Sequence, residues 1–147
     1  MTVRVEQSFR IPAPVEDVWA FISDPAKRAG AISVVDDFEV GDDGVATWYL
    51  DLPLRLLSNA FAIETREVER DPPRHVRFVG RSKVMSVQGE HDLDAVDGGT
   101  RLTNRFVVDG RVPGVERFFE RNLPGEIDNL ERAIRADLGV EVVTDDG

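Results

Sequence analysis

Apolar residues Val3, Val5 and Phe9 fall on one parity at the start of the chain, and the period then changes abruptly to Val15, Val18, Trp19 and Ile22. Alternation predicts a strand, and three-to-four spacing predicts a helix. Between them, Ile11, Pro12, Ala13 and Pro14 form a rigid corner. Pro14 suits the first helical turn, where its missing N–H has no partner, and Glu16 and Asp17 favour the positive end of the helix dipole. Pro25 disfavours the α conformation at Asp24, which predicts a stop near Ser23. Residues 26–31 are small and helix-tolerant, which predicts a second short helix ending at Gly30.

Alternation then resumes. Ile32, Val34, Phe38 and Val40 share a parity, Gly41, Asp42, Asp43 and Gly44 signal a turn, and Ala46, Trp48, Leu50 and Leu52 run in phase, which predicts a hairpin. Residues 53–58 read equally as an edge strand or a loop over the core, because Pro53 cannot donate to a ladder. Residues 59–70 predict a long strand carrying Phe61 and Ile63, ended by Asp71, Pro72 and Pro73. Two more strands follow over 75–82 and 84–96, with Val76, Phe78, Met85, Val87 and Leu93 inward. The turn at Asp97, Gly98, Gly99 and Thr100 leads to a strand over 101–109 with Leu102, Phe106 and Val108 in phase. The pattern predicts about six or seven antiparallel strands.

From Val115 the period is helical again. Phe118, Phe119, Leu123, Ile127, Leu130, Ile134 and Leu138 make one stripe on a helix of about 24 residues, roughly 36 Å long. Pro124 and Gly125 predict a kink or break within it. Gly139 is a natural stop, which makes residues 1–139 one expected domain and 140–147 a loosely held acidic tail.

The order strand, short helices, strands and long final helix resembles the START-like, or Bet v 1-like, SRPBCC superfamily, nearest to its polyketide cyclase/dehydrase-like members. The residues that carry the likeness are Ile11 to Pro14, Val18, Trp19, Phe21, Ile22, Ser23, Asp24, Pro25, the run 67–73, and Gly98 to Arg101. The resemblance implies an α+β helix-grip fold, with a curved antiparallel sheet wrapped around the final helix. It also implies an apolar cavity for a lipid, polyketide or other hydrophobic small molecule, with the short helices closing one end. Gly41 to Gly44 is a degenerate form of the glycine-rich loop of plant members, and its two aspartates would repel phosphate. Residues 26–31 lack the signature of the ubiquinone-binding branch. The Rieske branch is excluded because its cluster needs cysteine, and this chain has none.

Charge narrows the partners. The 147 residues carry 28 acidic and 18 basic side chains, a formal net charge of −10. Scattered arginines among carboxylates oppose nucleic-acid and anionic-membrane binding. No apolar run approaches the roughly 20 residues of a membrane span, and the amino terminus lacks a signal-peptide pattern, so a cytoplasmic location is the expectation. The Asp-rich, Lys-poor surface fits a host with high internal salt, where screening relieves self-repulsion.

Candidate chemistry is sparse. His91 shares the inward parity of Met85, Val87 and Leu93, Asn104 that of Leu102 and Phe106, and a turn at 96–99 places the two directly opposite. As a functional pair they would supply an acid or base and an orienting amide. As a core pair they would satisfy each other, and the readiness of buried polar groups to pair favours that reading. His75, after Pro72 and Pro73, reads as a surface residue, with no Glu or Asp at metal-ligand spacing, so neither a metal nor a cofactor is expected. Trp48, Phe61, Phe78, Met85, Phe106 and Phe118 are the expected cavity lining. Arg66 would be a possible anchor for an acidic ligand head, although Glu64, Arg66 and Glu67 read more simply as a solvated face. Three functions follow: binding or carriage of a hydrophobic molecule, a cyclase or dehydratase using His91, and an interaction domain related to co-chaperones or stress. The thin supply of titratable groups favours binding.

Overall fold

The computed structural model describes residues 2–41, 45–50, 61–112 and 114–140. Within them β1 (Thr2–Ile11) leads to α1 (Val15–Ile22) and α2 (Pro25–Gly30), followed by β2 (Val35–Val40), β3 (Val45–Leu50), β4 (Phe61–Asp71), β5 (His75–Arg81), β6 (Met85–Val96), β7 (Gly99–Gly110) and α3 (Val115–Leu138). The strands form one curved antiparallel sheet in the order β1-β7-β6-β5-β4-β3-β2, and α3 lies in its grip. The expectations for Asp42, Asp43 and Gly44, for residues 51–60, for the Phe61 side chain and for the tail from 141 lie outside the described residues.

The opening corner forms much as its residues dictate. Pro14 stands one place earlier than expected, as the extended N-cap of α1. Asp24 and Pro25 do more than stop α1. The Asp24 Oδ1 accepts from the backbone N–H of Ala26 at 2.9 Å and Lys27 at 3.4 Å, and Pro25 opens α2. A capping side chain and a proline at the first helical position are a start signal as well as a stop. Ile32 and Val34 precede β2 in irregular chain. Val40 keeps the inward parity of its partner Ala46 but is exposed, because β2 is the sheet edge and none of the described helices covers that position.

α3 runs unbroken through Pro124. A mid-helix proline costs about 3 kcal/mol. Burying Phe119, Leu123, Ile127, Leu130 and Ile134 contributes about 1.5–3 kcal/mol for each, which offsets that cost and keeps the residues on both sides of Pro124 helical. Gly139 ends the helix at φ 69°, a left-handed conformation that favours glycine.

The inward faces form two apolar clusters. One joins Ile11, Val18, Phe21, Ile22, Leu93, Leu102, Leu130 and Ile134 where α1 and the end of α3 meet β6 and β7. The other joins Trp48, Leu50, Ile63, Phe78, Met85, Phe106, Phe119, Leu123 and Ile127 under the first half of α3.

Candidate functional site

A hollow opens within the second cluster, between the concave face of the sheet and α3. The space in it open to the centre of a water molecule is about 50 Å3. Its walls include Ile32 and Val34, Trp48 and Ile63, Phe78, Met85 and Val87, Phe106, and Phe119, Leu123, Ile127 and Leu130 of α3. A single water needs roughly 10–15 Å3 by this measure, so the resting space holds only a few waters and a larger guest must displace side chains. Three ionisable or titratable side chains, Arg28, His91 and Glu126, interrupt the apolar wall.

His91 is fixed by strand register. β6 and β7 are joined at Asp97 and Gly98, Val96 pairs with Gly99, and His91 therefore faces Asn104 across the ladder. Asn104 Nδ2 donates to the Gln7 carbonyl at 3.2 Å, which turns its Oδ1 toward His91 Nδ1 at 2.8 Å. That chain of bonds makes Nδ1 the protonated nitrogen and leaves Nε2 with the lone pair. Both side chains are buried. Burial, followed by the nearby charge of Arg28, pushes the His91 pKa down to about 3 against a weaker upward pull from Asn104. The ring is neutral at any ordinary pH, too weak a base for efficient proton abstraction and without a second proton to give.

Arg28 enters from α2 and is 6% exposed. Its Nη1 donates to the Ile22 carbonyl at 2.8 Å, and its Nη2 to Glu67 Oε2 at 3.0 Å. The guanidinium lies 5.1 Å from the centre of the Phe78 ring, a cation–π contact. Burial pulls its pKa below the ordinary arginine value even though Glu67 opposes that fall. Glu67 also accepts from Arg70 Nε at 2.8 Å and Nη2 at 3.0 Å. Burial would raise the Glu67 carboxyl, but the bonds from Arg70 and Arg28 outweigh it and hold the group below the usual range. One carboxylate thus serves two guanidinium groups.

Trp48, Phe78, His91 and Phe106 pack as an aromatic group, with Trp48 edge-on to Phe78 at 5.6 Å and His91 stacked on it at 6.1 Å. Two buried donors in these walls, Arg28 Nε and Trp48 Nε1, have no hydrogen-bond partner among the described residues. Glu126 is fully engaged: Oε1 accepts from Ser33 N and Asn129 Nδ2, both at 2.9 Å, and Oε2 from Ser33 Oγ at 2.7 Å.

The structure places Trp48, Phe78, Met85, Phe106 and His91 in the walls. It moves two expected residues out. Arg66 is exposed, because Ile63, Thr65 and Glu67 hold the inward parity of β4, and the arginine that lines the hollow is Arg28. Phe118 is only partly buried and is replaced in the wall by Phe119, which stands four residues before Leu123 on the same helical face. The parity of Glu67 and the spacing of Glu126, between Leu123 and Ile127, were legible signals. Arg28, in a six-residue helix without an apolar stripe, had none.

His75, read from the sequence as a surface residue, is partly exposed and has carboxylates from neighbouring strands around it. Nε2 lies 2.8 Å from Glu69 Oε1 and 3.9 Å from Glu90 Oε2, while Nδ1 lies 2.7 Å from Asp92 Oδ1. Register across β4, β5 and β6, rather than spacing along the chain, brings donors of Glu69, His75 and Glu90 within 4.8 Å of one another, close enough to share a cation. Arg77 and Arg105 are already paired with carboxylates of the same group, as the salt bridges Arg77–Glu69 at 3.2 Å and Arg105–Glu90 at 3.3 Å show.

Comparison with known proteins adds a family. The family described as polyketide cyclase / dehydrase and lipid transport matches residues 2–135. No curated protein matches significantly. Among solved structures, a conserved protein from Geobacillus kaustophilus superposes with a TM-score of 0.75 at 19% identity, covering 93% of this chain and 95% of its own. The Zhui aromatase/cyclase from Streptomyces sp. R1128 gives 0.71 at 18%, covering 96% and 100%. A START superfamily protein from Mycobacterium smegmatis gives 0.70 at 9%, covering 92% and 97%. At these identities the likeness establishes the shared fold.

Proposed function

The chain belongs to the polyketide cyclase / dehydrase and lipid transport family, and from that premise we propose that it binds and carries a hydrophobic small molecule, of polyketide or lipid type, in the hollow beneath α3. The observation that carries the reading is the hollow itself, an aromatic and aliphatic wall with few polar groups. That is the usual make-up of a small-molecule site. Loading a polyketide-sized molecule requires the resting space to widen, so binding draws on a minor open state. Carriage is favoured over turnover because the titratable groups in the wall are poorly suited to proton transfer. His91 is neutral and bound to Asn104, Arg28 is a cation, and both Glu126 oxygens already accept hydrogen bonds.

The aromatase/cyclase neighbour motivates a second reading, in which His91 orients or deprotonates a substrate. A third, an interaction domain with an incidental hollow, draws support from the small resting volume. Native mass spectrometry of gently purified protein separates them. The carrier reading expects a co-purified hydrophobic molecule that is released unchanged on denaturation. Chemical change of an added polyketide, lost in His91→Ala, would favour the enzyme, and a protein that retains and accepts no hydrophobe would favour the interaction domain.

A further inference from the structure

Buried donors without partners are uncommon in folded proteins, and each calls for a physical reason. Arg28 Nε and Trp48 Nε1 are two such donors in one wall. Arg28 is 6% exposed and Trp48 5%, so neither is served by bulk solvent. Both side chains flank the same ring: Phe78 lies 5.1 Å from the Arg28 guanidinium and 5.6 Å from the Trp48 ring centre. Both donors therefore belong to side chains that touch the same ring of the wall.

A cationic donor favours an anionic oxygen over a neutral one. Arg28 shares the carboxylate of Glu67 with Arg70, and the carboxylate of Asp24, whose charge also reaches Arg28, is turned to the backbone N–H groups of Ala26 and Lys27. Glu126, the acidic side chain in the same wall, is turned to Ser33 and Asn129 and is bound there by three donors. Opposite charge in a site of low dielectric strengthens a hydrogen bond about twofold over the neutral case. His91 Nε2, an acceptor in the same wall, suits a second, protonated oxygen on the ligand.

We propose that the hollow selects hydrophobic molecules bearing an acidic oxygen (carboxylate, enolate or phenolate), which accepts hydrogen bonds from Arg28 Nε–H and Trp48 Nε1–H. The inference rests on the binding reading above and adds the chemistry of the head group. It gives Arg28 the anchoring role weighed for Arg66 in the sequence.

Equilibrium dialysis of the full chain against 2-naphthoate, 2-naphthamide and 2-vinylnaphthalene, near neutral pH, tests it. These probes share an aromatic body and differ in the head. The expected order of affinity is naphthoate, then the amide, then the hydrocarbon. Arg28→Gln should weaken naphthoate by about tenfold or more while leaving the hydrocarbon within about twofold, a difference of about 1.4 kcal/mol or more in binding. Trp48→Phe, which keeps an aromatic ring and removes only the indole N–H, should weaken naphthoate by about threefold and serves where Arg28→Gln fails to fold. Equal binding of acid and hydrocarbon by the native chain, or equal loss of both in Arg28→Gln, overturns the acidic-head inference and leaves hydrophobic carriage standing. Binding of none of the three overturns both.

Discussion

The two ends of the grip use the same sheet and the same helix to opposite effect. At the α1 end, Ile11, Val18, Ile22, Leu102 and Ile134 are fully enclosed, and the buried polar groups there are satisfied: Thr100 Oγ1 donates to the Ala13 carbonyl at 2.8 Å, and Arg135 Nη2 to the Arg10 carbonyl at 2.7 Å. At the other end, side chains of similar size leave a hollow, and two buried donors lack partners. The first arrangement is what stability alone would select, since interiors pack densely and buried polar atoms pair. Among the described residues the departures gather at one end, which is why the proposed binding function is placed there and the other end is taken to hold the fold.

The contrast can be broken most forcefully in the closed end. Leu102→Ala and Ile134→Ala should each lose about 2–5 kcal/mol in urea unfolding, whereas Leu123→Ala, whose side chain already borders empty space, should lose visibly less. Similar losses at all three positions would mean the ends are packed alike. Next in size is Asn104→Ala. It strands the His91 Nδ1–H and the Gln7 carbonyl, and should cost about 1–3 kcal/mol. Gly89→Ala sharpens the comparison from the other side. A Cβ there collides with Phe78, so the ring must move into the hollow. Overpacking of this kind costs typically about 1–3 kcal/mol, with the low end expected here because space is available, and ligand uptake should disappear. Trp48→Phe should shift stability by less than about 1 kcal/mol, because removing an unpaired donor offsets lost contact area.

The smallest effect lies on the sheet's outer face. The hydrogen bond to Glu69 raises the His75 pKa, with burial opposing and Asp92 and Glu90 assisting. A raised folded-state value means that this contribution is fully present below the unfolded pKa of about 6.5 and is lost as pH rises through the higher folded value. Stability of the native chain should fall across that window more than stability of His75→Gln, by thermal melting in a pH series. Equal slopes would remove His75 from the account.

Much of the fold was legible because it follows from local rules. The period changes at residues 11–15 and 110–115 mark strand-to-helix passages, and a two-residue turn at Asp97 and Gly98 fixes the register that sets His91 opposite Asn104. Pro124 does not break α3, because the proline penalty is local, whereas the burial that overrides it comes from the sheet. The site was less legible than the fold. Inward parity identified Trp48, Phe78, Met85 and Phe106, but Arg28 reaches the hollow from a helix too short to show a phase, and its partner Glu67 lies 39 residues away. The group around His75 is invisible along the chain for the same reason, since it is assembled across three strands.

A hydrophobic ligand that occupies the hollow lies beside Trp48. The chain has two tryptophans, and they report on the two ends separately: Trp48 belongs to the hollow, and Trp19 packs with the closed cluster. The most direct measurement is therefore the pair of indole N–H resonances of nitrogen-15-labelled protein during titration with 2-naphthoate. Ligand entry beside Trp48 should move the Trp48 resonance saturably and leave that of Trp19 in place. A stationary Trp48 resonance, or movement of Trp19 alone, would contradict it.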